Sequence, residues 1–140
     1  MTSHASYYVF VYGSLRRDFQ SAAYEYISRY FNFFGNAKVR GRLFDAGSYP
    51  AAVPVAEESF IYGELYSIKN EKEFSWAIAQ LDDYEGVVAE KDEELLYRRE
   101  MVDVYINDAI VPAWIYWYNG DITGKPVISS GDIMDYLKKK

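Results

Sequence analysis

The sequence predicts an α+β domain whose mixed sheet curls into a small barrel. Three observations carry this. Segments of strand and helix periodicity follow one another in the order β-α-β-β-α-β-β-α, which fits helices packed on one sheet. The chain has 140 residues, the length of a single domain. Half of its residues are hydrophobic, enough to fill a core, and no linker or internal repeat divides them. Residues 1–140 are therefore expected to form one domain, with 1–6 as a flexible N-terminal arm.

The elements follow in order. Tyr7-Tyr8-Val9-Phe10-Val11-Tyr12 is β-branched and aromatic throughout and stops at Gly13, which reads as a buried strand. Gly13 to Asp18 is a loop, and Asp18 can cap a helix from about Phe19 to Phe33. There Ala22, Ala23, Tyr26, Ile27, Tyr30 and Phe34 recur at three- and four-residue spacings and form one apolar face. Gly35-Asn36 ends that helix, and a strand follows from about Ala37 to Phe44. Its Val39, Gly41 and Leu43 alternate with Lys38, Arg40 and Arg42, so one side is wet. Ser48 to Pro54 reads as an irregular loop bounded by prolines.

Phe60 to Ile68 is a second alternating strand, with Ile61, Gly63 and Leu65 on one side and Tyr62, Glu64 and Tyr66 on the other. Asn70 can cap a helix from about Glu71 to Tyr84, with Phe74, Ala77, Ile78 and Leu81 as its stripe and Gly86 as its stop. After the acidic stretch Val87 to Glu94, Tyr97–Ile106 and Ala109–Tyr118 form a hairpin turning at Asn107-Asp108. Ser129 to Asp132 can cap a last short helix, Ile133 to Lys139.

Composition excludes several functions. The net charge of −6 disfavours nucleic acid as a partner, since phosphate binding needs a basic face. There is no Cys, so disulfides, thiol nucleophiles and thiolate metal sites are ruled out. The one His, His4, lies in the N-terminal arm, so a His-rich metal site is impossible. No stretch has the layout of a signal peptide or the length of an apolar membrane span. The expectation is a soluble cytoplasmic protein, a monomer or weak dimer. Aromatics make up 19% of the chain, and 15 residues are Tyr, a side chain suited both to partly wet pocket walls and to the outer face of strands.

Two segments can carry chemistry. A Gly at the end of a buried strand, as in Val11-Tyr12-Gly13-Ser14-Leu15, allows a sharp turn that exposes successive backbone N–H groups, a nest for an oxyanion or carboxylate. By itself the segment also fits a plain turn. In Leu81-Asp82-Asp83-Tyr84-Glu85-Gly86, Glu85 lies four residues after Leu81 and shares the core-facing stripe if the helix persists. An acid aimed at an apolar interior loses hydration, and its pKa rises above the reference of about 4.3, as a general acid/base requires. The alternative is a helix that ends earlier, with Glu85 exposed. Asp82 and Asp83 fall off the stripe and are expected to be solvated. Arg98 and Arg99 point to opposite faces of their strand, so one of them can reach Glu85 or a substrate carboxylate.

Together these segments resemble the gamma-glutamylcyclotransferase-like family, in its gamma-glutamylamine cyclotransferase branch. The matching pieces are Phe10 to Leu15, Tyr49-Pro50-Ala51, Gly63-Glu64-Leu65-Tyr66, Leu81 to Gly86, Tyr97-Arg98-Arg99, Ala113-Trp114-Ile115-Tyr116 and Ser130-Gly131-Asp132. Their order and approximate spacing agree from about Tyr7 to Tyr136. The resemblance implies a small mixed β-barrel of about five to seven strands flanked by two to three helices. It implies that Tyr12, Gly13, Ser14 and Leu15 hold the substrate's α-carboxylate through backbone N–H groups. It also implies that Glu85 is an inward-facing acid/base and that no metal or organic cofactor is used.

The implied reaction is intramolecular cyclisation of a small γ-glutamyl compound, releasing 5-oxoproline and an amine or amino acid. Tyr49, Tyr97 and Tyr118 are the expected contacts for the other half of the substrate. The chain departs from the family at Arg16-Arg17-Asp18, where members often carry a Gly. Two other readings compete: a carboxylate-pair hydrolase using Glu85 with Asp82 or Asp83, and a non-catalytic module that binds a small carboxylate.

Overall fold

The computed structural model describes residues 7–13, 16–17, 22–47, 50–56, 58–85 and 97–138, with the backbone alone at 22, 23 and 85. Five strands close a barrel in the order β1-β5-β2-β6-β7, and two more form a separate ribbon, β3-β4. The strands are β1 (Tyr8–Val11), β2 (Phe31–Arg40), β3 (Arg42–Asp45), β4 (Pro50–Val53), β5 (Phe60–Ile68), β6 (Tyr97–Ile106) and β7 (Ala109–Tyr118). The helices are α1 (Ala22–Tyr30), α2 (Phe74–Glu85) and α3 (Ile133–Lys138). This is the α+β barrel the sequence predicts.

The apolar run of β1 has the burial it implies. Val9, Phe10 and Val11 are all buried, because β1 is covered on both faces. It pairs antiparallel with β5, Phe10 opposite Leu65, and lies parallel to β7, Val9 opposite Trp114, which closes the barrel. Phe10, Val39, Ile61, Leu65, Val104 and Ile115 form one apolar cluster on the inward face of the strands. The alternate residues Val9, Val11, Tyr66, Ile68 and Tyr116 pack outward in a second cluster against Ile27 of α1 and Ala77, Ile78 and Leu81 of α2.

Where the elements carry local punctuation, their bounds match the sequence reading. β5, β6 and β7 have the expected limits. Asn107 adopts a left-handed conformation (φ 53°), as a two-residue hairpin turn requires. The Asn70 side chain accepts from Lys72 N–H at 3.0 Å and starts a 3-10 turn, Glu71–Glu73, that leads into α2. Asp132 Oδ1 accepts from Met134 N–H at 2.9 Å and caps α3.

Two expectations fail here. The helix predicted to reach Phe33 ends at Tyr30, and β2 begins at Phe31 rather than Ala37. The run Phe31-Asn32-Phe33-Phe34 fits either periodicity, and pairing with β5, from Phe31 opposite Ile68 to Arg40 opposite Phe60, wins because it satisfies a longer ladder. Phe34, assigned to the apolar helix face, is 50% exposed. Gly35 does not stop a helix but sits where the β2–β5 register shifts. The predicted strand Ala37 to Phe44 breaks at Gly41, and the chain leaves the barrel as β3. The predicted irregular loop contains β4 instead, with Pro50 as its first residue, a position that tolerates the missing N–H.

Candidate functional site

The described part of the site gathers at the C-terminal end of β1. Tyr12 is buried, and its hydroxyl donates to the Tyr116 backbone carbonyl on β7. The chain then turns at Gly13, where an added Cβ would lie 3.0 Å from Pro50 Cγ, so the strand end and β4 touch at a point that suits Gly. The Pro50 carbonyl accepts from the Tyr97 hydroxyl at 2.8 Å. The two-residue turn of the β6–β7 hairpin sets Tyr97 directly opposite Tyr118, and their rings meet edge-on at 5.7 Å. Pro50 thus joins Gly13 to Tyr97, and Tyr97 in turn meets Tyr118.

Ser14, Leu15 and Tyr49 lie outside the described residues. α2 does persist to Glu85, but that side chain also lies outside them. One turn earlier, Leu81 packs in the outward cluster with Tyr97, Tyr116 and Tyr118.

Asp82 corrects the sequence reading. It was expected in solvent and is 8% exposed. Arg99 on β6 grips it at two points, Nε to Oδ1 at 2.6 Å and Nη2 to Oδ2 at 3.0 Å. The Tyr116 hydroxyl donates to Oδ1 at 2.9 Å. The Arg99 guanidinium also lies over the Trp114 ring, 4.5 Å from its centroid. The periodicity of α2 alone places Asp82 off the apolar stripe; the charge that draws it inward comes from β6. Asp83 is exposed, as expected. Arg98 bonds Glu100 at 2.9 Å and the Tyr118 carbonyl at 3.3 Å.

Glu64 is the residue that sequence reasoning missed. It is 1% exposed. Its Oε1 accepts from Arg17 N–H at 2.9 Å and from the Tyr66 hydroxyl at 2.9 Å, and its Oε2 accepts from Arg17 Nε at 3.1 Å. Burial, with the nearby Glu64 charge second, pushes the Tyr66 hydroxyl well above the ordinary tyrosine range. A signal was present: on an alternating strand, a Glu flanked by two Tyr on the same face is placed to bond one of them. Beside Arg16 and Arg17 opens a groove of about 740 Å³, walled also by Lys38, Tyr62, Tyr105 and Asn107. None of Tyr12, Gly13, Tyr97 and Tyr118 lines it.

This chain is similar to known proteins over nearly its full length. It is 28% identical over 134 residues to the gamma-glutamylcyclotransferase family protein YtfP of Escherichia coli (strain K12), covering 91% of this chain and 96% of that protein. The crystal structure of YkqA from Bacillus subtilis superposes with a TM-score of 0.69 at 28% identity over 97% of this chain, which spans only 44% of YkqA. That of an AIG2-like protein from Mus musculus superposes with a TM-score of 0.64 at 20% identity, covering 90% of this chain and 88% of that one, a likeness of fold. The family model described as gamma-glutamyl cyclotransferase, AIG2-like, matches residues 9–135, and the chain belongs to that family.

Proposed function

We propose that the protein is a γ-glutamyl cyclotransferase in which the turn after β1 binds the glutamyl head and Glu85 moves the proton. The observation that carries this is the convergence of Gly13, Pro50, Tyr97 and Tyr118 at the end of β1, with Tyr97 and Tyr118 in the same outward cluster as Leu81, one turn before Glu85 on α2. The substrate's α-carboxylate rests on the N–H groups of Gly13, Ser14 and Leu15. Its α-ammonium gives a proton to Glu85. The amine nitrogen then attacks the γ-carbonyl carbon, and a five-membered ring closes. As the bond from that carbon to the departing nitrogen breaks, Glu85 returns the proton to the leaving amine; the second proton that the ring nitrogen sheds follows by way of the same carboxylate, so the amine departs as an ammonium ion and the lactam is neutral. The substrate's atoms are partitioned between 5-oxoproline and an amine or amino acid, and no water is consumed.

So sparse a toolkit suffices because the nucleophile is tethered to its electrophile. Ring closure from a held conformer replaces about 7–11 kcal/mol of barrier. The engagement of Asp82 with Arg99 and Tyr116 supports a mechanism with one carboxylate over a carboxylate pair. The tyrosine walls suit glutathione, γ-glutamyl amino acids or γ-glutamylamines.

A panel of these compounds assayed for 5-oxoproline tests the reading, since a hydrolase would release glutamate instead. Glu85→Gln keeps the shape and removes the base, and kcat should fall by about 10²- to 10⁴-fold. Release of 5-oxoproline at the wild-type rate by Glu85→Gln would overturn the assigned role. Binding without product from any compound would favour a non-catalytic module.

A further inference from the structure

Glu64 has no part in the proton cycle, yet it is almost fully buried at a place where an apolar residue would pack without desolvation cost. Among the described residues, two of its three hydrogen bonds reach one residue, Arg17, and one of these comes from a backbone N–H. Arg17 directly follows the turn that begins at Gly13. Arg16 N–H closes that turn onto the Gly13 carbonyl at 2.9 Å, and Arg16 Nη1 bonds Asp132 at 3.0 Å. On the other side, the Tyr12 hydroxyl ties the strand end to β7. The turn is therefore bracketed by a bond from Tyr12 before it and by the Glu64 clamp after it. The Arg17 guanidinium, 3.8 Å from the centroid of the Phe33 ring, balances the Glu64 charge, so an incoming carboxylate does not meet a net negative group.

We propose that Glu64 is a positioning residue for substrate binding: by holding Arg17 through both its backbone N–H and its side chain, it fixes the exit of the turn that Gly13 and Arg16 close, next to which a carboxylate binds. The class of ligand rests on the γ-glutamyl reading above; the clamp itself rests on the geometry.

The test compares wild type with Glu64→Gln, which keeps shape and one acceptor but loses the ion pair. Arg17→Ala serves as a second variant: its own side chain is half exposed, but its loss leaves the Glu64 carboxylate buried without its counter-charge, so exchange over the whole chain is read beside the turn. The probe is 5-oxoproline, the product common to all γ-glutamyl substrates, with its Kd measured by calorimetry. Amide hydrogen exchange is followed over residues 12–17 and, for comparison, over the β6–β7 hairpin.

In Glu64→Gln, exchange in the turn should accelerate about tenfold, and the 5-oxoproline Kd should rise about tenfold, with the hairpin unchanged. Arg17→Ala should move both readouts in the same direction. With an active enzyme, the loss should fall mainly on KM rather than kcat. Wild-type exchange in the turn of both variants overturns the proposal, as does faster turn exchange with unchanged binding. Equal acceleration across the whole chain overturns it too, because that marks a merely structural role. If wild type neither binds 5-oxoproline nor produces it, the γ-glutamyl reading fails, and exchange in the turn still decides the clamp.

Discussion

Replacing Asp82 with Asn should cost about 2–3 kcal/mol of stability, whereas the same change at its neighbour Asp83 should cost less than about 0.5 kcal/mol. Asp82 loses two charge-assisted bonds from Arg99 and retains one neutral acceptor for Arg99 and the Tyr116 hydroxyl to share. Breaking a fully buried ion pair by removing one partner costs about 3–5 kcal/mol. Here the side chains are 12% and 23% exposed, and Arg99 keeps its place over Trp114, so water and the indole face recover part of the loss. For a domain of this size, the remaining 2–3 kcal/mol corresponds to a fall in Tm of about 6–12 °C. Urea unfolding followed by tryptophan fluorescence reads the same quantity, with an unchanged m-value expected for both variants. Equal midpoints for Asp82→Asn and Asp83→Asn would refute the reasoning, because they would show that the inward pull of Arg99 adds nothing to stability.

Two further outcomes follow from the same packing. Gly63→Ala should destabilise by at least about 3 kcal/mol and prevent accumulation of folded protein, read by circular dichroism and yield, since the new Cβ would lie 2.2 Å from the Val11 carbonyl oxygen and force β1 from β5. Tyr66 is held protonated in the fold while an unfolded Tyr ionises near its ordinary value of 10.0. Its contribution is thus complete below that pH and erodes as pH rises, by up to about 1.4 kcal/mol per pH unit. The stability gap between wild type and Tyr66→Phe in urea melts should narrow between about pH 10 and 11.5; a constant gap would contradict the assigned burial.

The sequence by itself determined the parts of this protein whose cause is local. β5, the β6–β7 hairpin and α2 were legible because alternation, a turn dipeptide and a capping Asn lie within a few residues of the structure they specify. The register of that hairpin even places Tyr97 opposite Tyr118. The barrel's tertiary pairing decided the rest. Phe31 to Phe34 satisfies helix and strand patterns alike, and only the β5 partner resolves it. Asp82 reads as a solvated acid until Arg99, 17 residues away, is brought against it. Glu64 reads as the wet side of a strand until Arg17, 47 residues away, folds across it. A buried charge is stable only with its counter-charge in place, and the sequence pattern of one element does not contain the partner that another element delivers.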